Sequence, residues 1–145
     1  MVKKYLDTYI LVEIYLGNPD FIKYLYEDFI LNDITLAEFY GVLFREFGEE
    51  EANYWLRKLE SYSVSVEREI LIEASKFRQT KKRNISFFDA VGYIFALANK
   101  YIFVTGYKEF EEDIGITHIY SNNFRGFISN PLPSFWKEDI SKSFK

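Results

Sequence analysis

The sequence predicts an α/β fold in which a parallel sheet carries helices on both faces. Three observations support that prediction. Short apolar segments suited to strands alternate with longer helical segments along most of the chain, the order that parallel crossovers require. Acids stand at the end of a strand or the start of a helix in three places, Asp7, Glu38 and Asp89. The run from Ser86 to Ala98 is apolar nearly all round, as a helix at the centre of a domain must be. At 145 residues the chain is one domain by length, large enough for a full core.

Taken in order, Val2 to Leu6 is a strand that stops at Asp7, and Thr8 opens a helix from Tyr9 to Leu16. Gly17, Asn18 and Pro19 end it, with Asn18 placed to cap a second helix whose first position is Pro19. Phe21, Leu25, Phe29 and Ile30 fall on one helical face and carry that helix as far as residue 30. Asn32 to Ile34 leaves room for a small strand only. Thr35-Leu36-Ala37-Glu38 has the form of a capping box, and Leu36, Phe39, Tyr40, Leu43, Phe44 and Phe47 predict a helix up to Gly48. Glu49 to Leu59 is another, with Trp55, Leu56 and Leu59 inward.

Tyr62 to Val66 is rich in β-branched residues and predicts a strand. Glu67 to Lys82 predicts a long helix with Ile70, Leu71, Ala74 and Phe77 as its buried stripe. Lys76, Arg78, Lys81, Lys82 and Arg83 crowd its end, where cations suit the helix dipole. Ser86 and Asp89 form a second capping box at the head of the apolar helix. Tyr101 to Val104 is a strand closed by Thr105-Gly106; a short acidic helix from Tyr107 to Glu112 and a strand from Ile116 to Ile119 follow. These make one domain over residues 1–120. The tail, 121–145, has no clear period and is expected to dock on that domain through Phe124, Phe127, Phe135 and Trp136.

Composition narrows the chemistry. Hydrophobic residues at 48% and charged residues at 28% argue against disorder. The absence of cysteine excludes disulfides, thiolate metal sites and thiol nucleophiles. A single histidine, His118, argues against a Ser-His-Asp triad and is read as structural. The net charge of −4 speaks against a broad electrostatic grip on nucleic acid while leaving room for local contacts. No signal-peptide pattern or bilayer-length apolar run is visible, so a soluble cytoplasmic protein without a membrane partner is expected.

Each acid alone has an ordinary explanation. A carboxylate in the first turn caps the helix and complements its dipole, worth roughly 0.3–1 kcal/mol. Their combination says more, because right-handed crossovers place such junctions on one edge of the sheet. Carboxylates brought together there are unfavourable unless a cation neutralises them or one takes a proton. Hard oxygen donors without Cys or His suit Mg²⁺ or Mn²⁺. Such an ion can activate water and stabilise charge developing at phosphorus, so phosphodiester hydrolysis is the chemistry expected.

Leu6-Asp7-Thr8, Ile34-Thr35-Leu36-Ala37-Glu38, Ile85-Ser86-Phe87-Phe88-Asp89-Ala90 and Phe103-Val104-Thr105-Gly106 resemble, in order and spacing, the successive motifs of the PIN-domain family. The resemblance covers residues 2–120. It implies a three-layer α/β/α sandwich around a central parallel sheet of about five strands. It also implies a metal-dependent ribonuclease, commonly the VapC toxin of a type II VapBC toxin–antitoxin pair. Such toxins are often homodimers held inactive by an antitoxin.

Carried onto this chain, the resemblance makes Asp7, Glu38 and Asp89 the catalytic ligands of Mg²⁺ or Mn²⁺ and the holders of the attacking water. Thr105 would orient Asp7 from behind. Lys81, Lys82 and Arg83, with Lys3 and Lys4, are candidates for contact with phosphates of an RNA substrate, although a charge run at a helix end is more often simply solvated. Thr8 is expected as a helix-start hydroxyl and not as a ligand.

One residue departs from the pattern. The family usually reads Thr-Gly-Asp where this chain reads Thr105-Gly106-Tyr107, and a tyrosine is a poor Mg²⁺ ligand. Glu109, Glu111, Glu112 and Asp113 follow and are read chiefly as a solvated helix face. The departure opens an alternative, a catalytically weakened PIN-like module that binds RNA or a protein.

Overall fold

Strand β1 (Lys4–Leu6) holds the middle of a five-stranded sheet whose pairings are all parallel. On one side lie β2 (Phe29–Asn32), with Lys4 opposite Phe29, and then β3 (Ser63–Val64). On the other lie β4 (Ile102–Thr105), with Leu6 opposite Val104, and then β5 (His118–Tyr120). The order is therefore β3-β2-β1-β4-β5. Between the strands run α1 (Thr8–Tyr15), α2 (Pro19–Ile22), α3 (Asp33–Phe47), α4 (Glu49–Leu59), α5 (Arg68–Lys81) and α6 (Phe87–Asn99). These coordinates are a computed structural model that describes residues 3–81, 85–106 and 118–120.

The inner strands are buried on both faces, and their side chains divide between two cores with the period of two that a pleated strand imposes. Leu6, Leu31 and Val104 pack against Ile10 of α1, Phe39 of α3 and Trp55 of α4. Tyr5, Ile30 and Phe103 point the other way, against Ile70 and Ala74 of α5 and Val91 and Phe95 of α6. The continuous apolar runs of the sequence follow from this two-sided burial, and the three-layer α/β/α arrangement is the one expected.

Two expectations on either side of β2 need correction. The helix that begins at Pro19 stops at Ile22, gives way to a 3-10 turn over Lys23–Tyr26, and does not reach residue 30. Phe29 and Ile30 belong to β2 and enter opposite cores; a short run buried on both sides cannot be told from a helix by spacing alone. Helix α3 also begins earlier than expected. Its cap is Asn32, whose Oδ1 accepts the Thr35 amide at 2.8 Å, so Thr35 lies inside the helix and Glu38 is not a capping-box acid. Asn outranks Thr as a helix cap.

The other boundaries fall close to expectation. Gly48 joins α3 to α4 at φ 95°, a conformation open to glycine at little cost. Ser86 and Asp89 form the expected reciprocal box: Ser86 Oγ accepts the Asp89 amide at 3.1 Å and Asp89 Oδ2 accepts the Ser86 amide at 3.2 Å. Ser86→Ala should cost about 1 kcal/mol of stability, seen as a lower urea midpoint with unchanged circular dichroism. Strand β3 is shorter than the predicted Tyr62 to Val66, and β5 is described over His118–Tyr120, with residues 116–117 of the predicted strand outside the described residues. The expected helix from Tyr107 to Glu112 and the tail from Ser121 lie outside the described residues. Among the described residues no helix is long and apolar enough to cross a membrane.

Candidate active site beyond the carboxyl ends of β1 and β4

The chain leaves β1 toward β2 and β3, then returns to place β4 on the opposite side of β1. Connections therefore diverge between β1 and β4, and a crevice opens beyond their carboxyl ends. Asp7 follows β1, and Thr105 closes β4. The Asp7 amide donates to the Val104 carbonyl at 3.3 Å, which ties the residue to the adjacent strand before α1 begins.

Asp7 is the cap of α1. Its Oδ1 accepts the Ile10 amide at 3.0 Å, and the residue is only 5% exposed. Burial pushes its carboxyl up to about 8; hydrogen bonds from the Thr105 side chain and the Ile10 amide oppose the rise, while the charges of Asp89 and Glu38 add to it. Thr105 thus lies against the carboxyl, yet Oδ2 has no partner of ordinary hydrogen-bond geometry among the described residues. A buried acceptor left in that state is costly and calls for an explanation.

Glu38 faces the same place from α3. It is half-buried; burial raises its pKa, a hydrogen bond with the Thr8 side chain lowers it, and the charge of Asp89 raises it. Asp89, also half-buried, is fixed by its box with Ser86 at the head of α6. The three acids picked out in the sequence are therefore in electrostatic contact pair by pair, and Asp89 both caps and repels. Their coupling is through charge: among the described residues, no three acidic or histidine side chains stand as closely as the ligands of one bound ion.

Lys81 ends α5, while Lys82, Arg83, Tyr107, Glu109, Glu111, Glu112 and Asp113 lie outside the described residues. Conversely, the sequence reading missed four polar residues beneath the acids. The Thr8 side chain bonds with Glu38, a role beyond opening a helix. Tyr5 buries its hydroxyl against Thr35 Oγ1 and accepts from Asn32 Nδ2 at 3.4 Å. The three-residue spacing of Asn32 and Thr35, a helix-cap signature, was the signal available for two of them; a tyrosine in an apolar strand gives none.

The donor set suits a hard divalent cation. It consists of carboxylate oxygens alone, and the unpartnered Asp7 Oδ2 is the kind of buried oxygen that such an ion satisfies. A positive charge beside Asp7 would also draw its carboxyl back toward the ionised form.

Comparison with known proteins agrees with this fold. The sequence profile described as PIN domain matches residues 4–112. Among curated proteins none matches the chain. The DNA-bound VapBC structure from Salmonella typhimurium is 18% identical, covers 83% of this chain and 98% of that one, and superposes with a TM-score of 0.67. VapBC-1 from nontypeable Haemophilus influenzae is 19% identical, covers 81% and 96%, and gives 0.64. VapC20 of Mycobacterium tuberculosis, described as a Sarcin-Ricin loop cleaving toxin, is 17% identical, covers 68% and 85%, and gives 0.56. At such identities the likeness is one of fold. With the profile spanning well over half of the sequence, the chain belongs to the PIN-domain family.

Proposed function

We propose that the protein is a Mg²⁺- or Mn²⁺-dependent endoribonuclease of the VapC type, the toxin of a type II toxin–antitoxin pair. The observation that carries this reading is Asp7: a buried carboxyl whose Oδ2 lacks a partner of ordinary hydrogen-bond geometry among the described residues, with two further acids acting on it. Support comes from the neighbour described as cleaving the Sarcin-Ricin loop, and from neighbours solved as toxin–antitoxin complexes, which fit an antitoxin partner; the homodimer is proposed from the family resemblance alone.

In this reading Asp7, Glu38 and Asp89 hold the cation, and Thr105 orients Asp7 from β4. The ion, when bound, acts as a Lewis acid and acidifies a water. The Ile10 amide and the Thr105 side chain hold the Asp7 carboxyl against the end of β4. Glu38 would help to hold the attacking water; burial raises its pKa, and the hydrogen bond with the Thr8 side chain, which lowers it, orients the carboxyl. Asp89 needs no further support than its box, which locks the carboxylate to the first turn of α6. Lys81, Lys82 and Arg83 are the candidates for contact with RNA phosphates.

The test is cleavage of a structured RNA with Mn²⁺ and with chelator. Cleavage should require the metal and disappear in Asp7→Asn and in Asp89→Asn, both still folded; cleavage by both variants would sink the assignment. Tyr107, where the family carries an acid, favours a second reading, a module that binds RNA or protein and cuts weakly. Calorimetric titration of Mn²⁺ into the wild type and Tyr107→Asp decides between them. Tighter binding by the variant supports the weakened site, and equal affinity removes the argument.

A further inference from the structure

The three acids come from three elements, and one hydroxyl lies at the junction of all three. Tyr5 is on β1, two residues before Asp7. Its hydroxyl hydrogen-bonds Thr35 Oγ1 on α3, one turn before Glu38. Across from that contact is Gly92 on α6, one turn after Asp89; a Cβ built there would come within 2.8 Å of the Tyr5 hydroxyl and 3.0 Å of its ring. Helix α6 reaches the hydroxyl only because position 92 has no side chain, and 2.8 Å is closer than a Cβ can approach.

The contact is also tied into a wider network. Asn32 Nδ2 donates to the Tyr5 oxygen at 3.4 Å while Asn32 Oδ1 holds the Thr35 amide at 2.8 Å. Asn32 thus braces both the Tyr5 hydroxyl and the backbone of Thr35, the two ends of the hydrogen bond between the hydroxyls. The ring cannot drift, because Phe95 and Phe103 stand against it at centroid distances of 5.2 and 5.9 Å. The hydroxyl senses the charges of Asp7 and Glu38, yet burial keeps it far too weak an acid to ionise near neutrality, so it is neither ligand nor base.

We propose that Tyr5 is a positioning residue of the acidic site: its hydroxyl, bonded to Thr35 and Asn32 and seated on Gly92, sets the separation of Asp7, Glu38 and Asp89. Tyr5 lies within a segment that the sequence marked only as a strand. The role rests on the nuclease reading for its purpose, and the spacing itself can be measured without it.

Tyr5→Phe keeps the ring and removes only the link. Mn²⁺ titrated into the metal-free variant should bind about tenfold more weakly, the scale on which residues behind metal ligands act. In RNA cleavage kcat should fall while KM holds. Thr35→Val, which breaks the same link from α3, should reproduce the loss; Thr35→Ser, which keeps the hydroxyl, should restore wild-type affinity. The double variant Tyr5→Phe/Thr35→Val should be no worse than either single change, as for two ends of one interaction.

Unchanged Mn²⁺ affinity in both Tyr5→Phe and Thr35→Val, or losses that simply add, would overturn the proposal. Should the wild type neither bind Mn²⁺ nor cut RNA, the nuclease reading falls instead. Crystal structures of the metal-free wild type and Tyr5→Phe then decide on Tyr5 alone: carboxylate separations that differ uphold it, and identical separations end it.

Discussion

Asp7→Asn should abolish RNA cleavage by at least about a hundredfold and, in the same molecule, make the metal-free protein more stable. Both halves follow from burial. The carboxyl sits in the interior with its pKa pushed up from 3.8 to about 8, so at neutral pH folding must either neutralise it or bury its charge. Asparagine avoids that cost. Its side-chain oxygen can still accept the Ile10 amide, and Asn ranks with Asp as a helix cap. At roughly 1.4 kcal/mol per pH unit, and with some loss because the amide remains a buried polar group, a gain of roughly 2–4 kcal/mol at pH 7.5 is expected. Urea denaturation in chelator measures it. A destabilised Asp7→Asn would mean that the acid serves the fold, contrary to a site that sacrifices stability for chemistry.

The stability of the metal-free protein should fall as pH rises from about 4 to about 8. The sign follows from linkage. Asp7 binds its proton more tightly folded than unfolded, so its favourable contribution is complete below the unfolded value of 3.8 and is lost as pH climbs through about 8. Glu38, raised in the same direction, adds to the trend. Most proteins with salt-bridged carboxylates slope the other way over this range. Urea midpoints at pH 5 and pH 8 in chelator test the expectation, and the slope should flatten in Asp7→Asn. Saturating Mn²⁺ should remove it too, since a cation favours the ionised carboxylate. A wild-type midpoint that rises with pH in chelator would count against the buried, uncompensated acid.

Much of this arrangement was legible because it follows from local chemistry. The box of Ser86 and Asp89 depends on four consecutive residues, and α4 on its apolar stripe; both lie where expected. The convergence of Asp7, Glu38 and Asp89 was legible for a different reason, since parallel crossovers bring strand ends to one edge. Segments with two valid local solutions were harder. Phe29 and Ile30 fit a helix by spacing and a strand by hydrophobicity, and only pairing with β1 chooses the strand. Thr35 had the form of a cap until Asn32, three residues ahead, took that place. Tyr5 was hidden most thoroughly: nothing in an apolar run says that one hydroxyl will meet α3 and α6, because that depends on the packing of elements far apart in the chain.

The pairing of Lys4 with Ile102 and of Leu6 with Val104 has a consequence during synthesis. Asp7 emerges from the ribosome about a hundred residues ahead of Thr105, so its strand stays without one neighbour, and its carboxyl without Thr105, until β4 has been made. A nascent chain stopped before that point lacks the assembled acids. The cutting activity proposed for the finished protein is thereby withheld until β4 pairs with β1.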